Sequence, residues 1–475
     1  MKRIRLPILI SIICMCASVL SANTERPNII LVMTDDQGWG QTGYNGHPHL
    51  KTPNLDAMAK NGIRFDRFYA AAATCTPTRA SVMTGRLPRR TGAPAISGTL
   101  SLQEKTLPQA LQKAGYTTAH FGKWHLGGVK GNGMPVLEDS LHHPGAYGFD
   151  YWLSTTNFFD MDPLMSRNGE FVYIEGDSSD IIVDDALKFI EREKDNPFLA
   201  VIWYGSPHFP FRTSEEDVAP YKALGFDDKH AYHLAEIAAM DRSVGTLRQG
   251  LRDMGIAENT IVWFCSDNGG LKDDPHSGGK LTGNKGALTE GGIRVPGIIE
   301  WPGTIKPTIT NFPASTMDIM PTFVDLLELP QDSMLSVVDG ESIKDIFFGN
   351  TPSREKGIAF LEKGKVLITE NFKLRNLSKK RNNPKWELFD VDADPGEHSD
   401  ISTQFPELME RMKAELQGIM ASVEESEAGK DYPEGERIRT PQPKDKRWSV
   451  SPDYIQHFAT FEEMKPGWTA PKQKK

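Results

Sequence analysis

The sequence predicts an α/β protein: a large, mostly parallel sheet flanked by helices, followed by a smaller C-terminal antiparallel sheet with a helix. Three observations carry this expectation. Four nearly continuous apolar, β-branched runs end in polar residues: NIILVMTDD (28–36), TTAHFGKW (117–124), FLAVIWYGS (198–206) and TIVWFCSDN (260–268). Helix-periodic segments separate them, notably Leu107–Ala114, Ser179–Glu193 and His230–Met254. Beyond residue 350 the pattern shortens to GIAFLEKGKVLITENFKLRNL and KWELFDVD, with one helical stretch at Phe405–Ala428.

Each element has a physical basis. A strand that is apolar on both faces needs cover on both sides, which alternating helices supply. The short late runs, joined by turn residues, suit hairpins. From Gly429 the chain is rich in Pro, Lys and Glu and reads as a loose tail or a surface wrap. The expected organisation is a main domain over 23–350 and a small-sheet subdomain with its tail over 351–475.

Residues 1–22 read as a signal peptide. Lys2, Arg3 and Arg5 precede an apolar run from Leu6 to Leu20 and then the small residues Ser21 and Ala22. The run is too short for a comfortable membrane span. The expectation is export, to the periplasm or the exterior in a bacterial source, with no stable membrane span. Cys14 and Cys16 would leave with the peptide, so the mature chain keeps Cys75 and Cys265 and is no disulfide scaffold. Cys265, inside an apolar strand, reads as core. A net charge of −9 excludes a general nucleic-acid binder.

In an open parallel sheet, ligands gather beyond the carboxyl ends of the strands. Asp35 and Asp36 end the first run, and Asp267 and Asn268 end the fourth. These oxygen donors suit a hard cation, Ca²⁺ or alternatively Mg²⁺, better than zinc. Lys123 and His125 close the second run two residues apart, on one side if the chain stays extended. His208 follows the third run, and Lys285 sits in a Gly-rich loop after the fourth.

The segment ATCTPTRASVMTGR (72–85) adds an anion-ready helix end. Thr76 suits the N-cap, Pro77 the first helical position and Gly85 the C-terminal stop. Arg79 should lean back toward Cys75. Cys75 itself admits three explanations: a buried structural cysteine, a thiolate nucleophile, or a modified cysteine.

Taken in order, CTPTR followed by TG, PNIILVMTDDQGWG, GKWHLG, SPHFPF, SDNGG, GGIRVP and ELFDVDADPGEHSD resemble the type I sulfatases of the alkaline phosphatase superfamily. The likeness is to their arylsulfatase and N-acetylgalactosamine-6-sulfatase members, and it covers nearly all of the mature chain. It implies the third explanation: Cys75 oxidised to formylglycine, whose hydrate attacks sulfur, by a formylglycine-generating or anaerobic sulfatase-maturating enzyme. It also implies one Ca²⁺ on Asp35, Asp36, Asp267, Asn268 and the modified Cys75. Arg79 would steady the formylglycine, and Lys123, His125, His208 and Lys285 would bind sulfate and serve proton transfer. Thr78 stands where the family motif usually has Ser or Ala. The expected substrate is a sulfated small molecule or glycan, and the 23–350 domain is then the catalytic one. The alternatives are a phosphonate or phosphate ester hydrolase of the same superfamily, or a non-catalytic sulfoglycan-binding protein.

Overall fold

The computed structural model describes residues 26–378, 385–438, 440 and 446–472. The expected signal peptide lies outside the described residues, and no helix among them is long and apolar enough to cross a membrane.

One sheet holds β1 Asn28–Thr34, β2 Ile63–Tyr69, β3 Thr117–Lys123, β4 Tyr151–Thr155, β5 Leu164–Arg167, β6 Glu170–Tyr173, β7 Phe198–Trp203, β8 Thr260–Ser266, β9 Arg294–Glu300, β10 Thr308–Thr310 and β11 Ala314–Ser315. Its spatial order is β10-β2-β9-β8-β1-β7-β3-β4-β5-β6, with β11 also beside β2. The run β8-β1-β7-β3-β4 is parallel throughout, whereas β9 is antiparallel to both its neighbours. The four apolar runs of the sequence are therefore four adjacent central strands, and the sheet is mostly parallel as expected.

Alternate residues of these strands feed two cores, as the two-residue period of a strand requires. Ile29, Leu31, Met33, Val201, Trp203, Trp263 and Cys265 face helices Cys75–Thr84, Leu107–Lys113 and Ile319–Leu326. Ile30, Val32, Ile202, Val262 and Phe264 face helices Ser178–Glu193 and Asp228–Asp253. Each fully buried aliphatic contributes about 1.5–3 kcal/mol, so central strands apolar on both faces stabilise both layers at once.

The C-terminal region forms the expected smaller antiparallel sheet: β12 Ile358–Phe360, β13 Lys365–Thr369, β14 Phe372–Asn376 and β15 Glu387–Asp390, in that order. Met412, Leu416 and Val423 of helix Pro406–Glu427 cover it. Tyr69, Ala71, Ala73, Leu288 and Ile293 join the same apolar cluster, which ties this sheet to the segments that carry Cys75 and Lys285. The described part of the tail is a surface wrap. Its Tyr454, Phe458 and Phe461 pack on Met134, Leu137 and Leu164.

Candidate active site

The register of β1 and β8 pairs Thr34 with Ser266. Asp35–Asp36 and Asp267–Asn268 therefore leave the sheet side by side, all four fully buried. Asp36 takes a left-handed φ of 67°, a conformation non-glycine residues rarely adopt. Its N–H donates to Asp267 Oδ1 at 3.1 Å, and Asn268 Nδ2 donates to Asp36 Oδ1 at 2.8 Å.

Helix Cys75–Thr84 brings Cys75 to this corner. The structure corrects the expected cap: Thr74, with extended φ and ψ, precedes the first helical residue, which is Cys75 itself. Thr76 lies in the first turn, and its Oγ1 accepts from Ser97 N instead. Thr78 Oγ1 accepts from Ala72 N and donates to Ala72 O, both at 3.2 Å, which fixes the approach to the helix. Asp35, Asp36 and Cys75 each offer one ligating atom, all within 4.8 Å of one another. Asp35 Oδ1 and Asn268 Oδ1 are buried acceptors without a hydrogen-bond partner among the described residues. Buried acceptors of this kind call for a compensating charge. Oxygen-dominated donors with two orphaned acceptors fit a hard divalent cation.

Three basic side chains face these acids. Lys123 Nζ donates to Asp35 Oδ2 at 2.6 Å, and Lys285 Nζ lies 2.6 Å from Asp36 Oδ1. Arg79 donates to Asp267 Oδ2 through Nε at 3.1 Å and Nη2 at 2.7 Å, and to Lys123 O through Nη1 at 2.9 Å. Its guanidinium thus grips Asp267, 5.0 Å over the Trp203 ring, where the sequence suggested a reach back toward Cys75. Lys285 is pinned by its own N–H to Gly270 O at 2.9 Å and by Gly286 N–H to Ala73 O at 2.8 Å. Glycine is required nearby, since a Cβ on Gly269 would lie 2.0 Å from Gly291 O and one on Gly292 2.0 Å from Ala287 O.

The histidines differ from one another. His125 follows β3 with φ 54°, so the chain is not extended there, and the two-residue alternation expected of Lys123 and His125 does not apply. Both its ring nitrogens are buried without a hydrogen-bond partner among the described residues. Burial, then the Lys123 and Arg79 charges, hold its pKa well below the usual imidazole range, so it is a neutral proton acceptor. His208 stands at the rim, 20% exposed, with Nε2 3.7 Å from Asp36 Oδ2. Phe158 stacks on its ring at 4.3 Å and 11°.

Burial pushes the Cys75 thiol up to about 11 despite Lys123 and Lys285, which disfavours the thiolate form of the unmodified side chain. Burial also opposes ionisation of Asp35 and Asp36, but the surrounding cations together, led by Lys123 for Asp35 and Lys285 for Asp36, hold both carboxyls below their usual range. Burial and Asp35 push Asp267 upward, yet its oxygens accept only N–H donors, from Arg79 and Asp36, which suits the carboxylate. Three carboxylates thus balance three basic groups. A divalent cation added to that balance leaves the site with an excess of positive charge, which favours an anionic ester group.

Three polar residues of the loop before Lys285 that the sequence offers either as pocket lining or as solvated loop, His276, Lys272 and Lys280, do not join this cluster. His276 packs 5.5 Å from His47 and 6.1 Å from His49, Lys280 lies over Trp39, and Lys272 is exposed. Trp203 beneath Arg79 was not assigned a role from sequence, its place at a strand end being the available signal, whereas Phe158 against His208 belongs to the aromatic stretch 151–162, which the sequence offers as a sugar-stacking or a packing surface.

Fold and site together define a class: α/β proteins with clustered oxygen donors and a ring of basic groups at the carboxyl ends of parallel strands. Within that class, the chain belongs to the sulfatase family, whose model matches residues 27–329. It is 33% identical over 360 residues to an arylsulfatase of Hemicentrotus pulcherrimus, covering 69% of this chain and 63% of that protein. It is 32% identical over 363 residues to the N-acetylgalactosamine-6-sulfatase of Mus musculus, covering 66% and 65%. The chain therefore spans just under two thirds of the length of these relatives. Among solved structures, that of Ps i-CgsB in complex with k-i-k-neocarrahexaose superposes with a TM-score of 0.74 at 26% identity, covering 83% of this chain and 92% of that one.

Proposed function

We propose that this protein hydrolyses sulfate monoesters, with a sulfated carbohydrate as substrate, and that residues 23–350 form the catalytic unit. The observation that carries the proposal is the buried meeting of Asp35, Asp36, Asp267 and Asn268 with Cys75, Arg79, Lys123, His125 and Lys285, with His208 at its mouth.

Asp35, Asp36, Asp267, Asn268 and residue 75 would hold Ca²⁺, with Mg²⁺ as the alternative; the cation would polarise the ester oxygens as a Lewis acid. Residue 75, converted from cysteine to formylglycine by a maturing enzyme, would supply two hydroxyls on one carbon, one to attack sulfur and one whose deprotonation releases sulfate. Arg79, locked to Asp267, fixes the helix turn that presents residue 75. Lys123 and Lys285 offset charge developing on the sulfate oxygens. Each such preorganised donor is worth about 3–4 kcal/mol of barrier. Neutral His125 takes the second hydroxyl's proton, and His208, nearest to solvent, serves the leaving oxygen. General acid–base help of this kind is worth roughly 10²–10⁴ in rate. The absence of histidine from the donor set argues against the two-zinc phosphatase alternative. Export through the N-terminal segment completes the proposal.

The test measures inorganic sulfate released from 4-nitrophenyl sulfate and from sulfated sugars by matured protein, alongside the mass of the peptide containing residue 75. An aldehyde at residue 75 with sulfate release is expected. An intact thiol in fully active protein would overturn the formylglycine step, and a fully converted protein that binds sulfated sugar without releasing sulfate would overturn the activity.

A further inference from the structure

Beside the site, a separate cavity of about 250 Å³ opens between the loop after β4, the loop after β7 and the C-terminal tail. Phe158, Asp160, Arg212, Trp448, Lys465 and Trp468 line it. It touches the site through one ring: Phe158, which lines the cavity, is the residue stacked on His208. Pro210, two positions after His208, is also in its wall. An occupant of this cavity would thus be separated from the ester group by little more than the His208 and Phe158 side chains.

Its chemistry is that of a sugar site. Trp448 and Trp468 lie 6.5 Å apart and tilted by 36°, and both are half-buried. Such half-buried indoles offer apolar faces with a polar edge, the combination that suits a pyranose with its C–H faces and hydroxyl rim. The size is slightly below that of a drug-sized pocket, which suits one ring and not a chain of rings. The charge is also biased. Arg212 Nε lies 3.6 Å from Asp160 Oδ2, and Lys465 adds a second cation to the wall, so two cations face one carboxylate. Asp162, outside the lining, also acts on Lys465 and accepts from Gly176 N at 2.8 Å. The tail that delivers Lys465 and both tryptophans is firmly seated, because Tyr454 donates to Pro135 O at 3.0 Å and Phe461 is fully buried.

We infer that this cavity is a second subsite that binds one sugar residue adjoining the sulfated one and selects a residue carrying an acidic group. The inference rests on the proposed sulfatase function and adds to it: the tail, far from the catalytic residues in sequence, sets preference for acidic oligosaccharides over small aryl esters. A carboxylate and a second sulfate share the required chemistry.

The experiment compares kcat/KM of the matured full chain on 4-nitrophenyl sulfate with that on N-acetylgalactosamine 6-sulfate linked to a hexuronate, to a second sulfated sugar, or to a neutral hexose. Binding of the same three disaccharides is read from tryptophan fluorescence. A preference of about tenfold for an acidic over the neutral disaccharide is expected. It should shrink toward one in the Arg212→Gln/Lys465→Gln double variant and at high salt, and grow in Asp160→Asn. The hexuronate and disulfated arms tell which acidic group is read. Equal kcat/KM for acidic and neutral disaccharides, or a preference untouched in the double variant, would overturn the subsite while leaving aryl sulfate turnover, and so the function, standing. Absence of all turnover would overturn the function. The fluorescence titration would then decide the subsite, with charge-selective quenching lost in the double variant supporting it and no selectivity overturning it.

Discussion

Two of the clusters of buried charge among the described residues differ in one respect. At the strand ends, Asp35, Asp36 and Asp267 face Lys123, Lys285 and Arg79. At the seam between the two sheets, Lys373 Nζ lies 2.9 Å from Glu290 Oε1 and 3.2 Å from Glu397 Oε1; Tyr69 donates to Glu290 Oε2 at 3.0 Å and Arg375 to Glu397 Oε1 at 2.8 Å. In the seam, Glu290, Lys373 and Glu397 have no buried side-chain atom without a hydrogen-bond partner, although Arg294 Nη1 beside Glu290 lacks one, whereas in the site Asp35 Oδ1, Asn268 Oδ1 and both His125 nitrogens all lack one. The site also holds Asp36 and His125 in left-handed backbone. Burial alone therefore does not mark function here. Incomplete satisfaction within a strained frame does, because such a frame persists only where the surrounding fold over-determines it.

The largest expected effect breaks the complete cluster. Lys373→Met leaves Glu290 and Glu397 buried without their ammonium and should cost about 3–5 kcal/mol of stability, read as a lower urea midpoint, with sulfate release per folded molecule retained. Lys123→Met should do the reverse. Sulfate release should fall by about 10²–10³ in kcat/KM, or roughly 3–4 kcal/mol of barrier, with a smaller fall in urea midpoint because a bound cation still compensates Asp35. Equal patterns in the two variants would erase the distinction between the clusters.

The sequence made one side of this contrast far more legible than the other. The four central strands were readable because both faces are apolar, and their polar ends named Asp35, Asp36, Asp267, Asn268, Lys123, His125 and His208, while Cys75, Arg79 and Lys285 came from the helix and loop motifs. Strands β4, β5, β6, β10 and β11 were missed since they are short, β2 because Arg64, Asp66 and Arg67 break its apolar pattern, and β9 because Pro296 and Gly297 interrupt it. The helix start slipped by two residues, from Thr76 to Thr74, because either threonine suits a cap position by residue type. Pairing was the hidden part. Lys123 with Asp35 and Lys285 with Asp36 depend on strand register and loop closure over 88 and 249 positions, which no local pattern encodes. The seam was invisible for the same reason, as Lys373 reads like any strand lysine. Trp448 and Trp468 were obscured by the charged, Pro-rich stretch around them.

A next, smaller effect sharpens the comparison through the cation. Ca²⁺ at 100-fold its dissociation constant should stabilise the folded state by about 2.7 kcal/mol, seen as a rise in Tm that a chelator reverses. Asn268→Ala, which removes one orphaned acceptor, should shrink that rise, whereas Lys373→Met should leave it intact on its lower baseline. A Tm indifferent to Ca²⁺ and to chelator would remove the cation from the account.

The smallest effect tests the one place where the C-terminal sheet resembles the site. Glu362, in the turn between β12 and β13, has a buried Oε1 without a partner among the described residues. Burial raises its carboxyl to about 8, only partly opposed by Lys363, from an ordinary value of 4.5. The sign follows from linkage: the folded state holds this proton more tightly than the unfolded state. The contribution to stability is therefore full below pH 4.5, declines as pH rises and is lost above about 8. Glu362→Gln, which cannot ionise, should match the parent at pH 4 and gain in urea midpoint at pH 9. A gain of equal size at both pH values would mean that packing, not the proton, sets the effect. The turn also abuts the Lys285 loop, since a Cβ built on Gly286 would lie 3.9 Å from Lys363 Nζ. If Glu362→Gln also lowers kcat/KM for sulfate release, this carboxyl belongs with the unsatisfied groups of the site; if activity is unchanged, it is a cost the scaffold carries by itself.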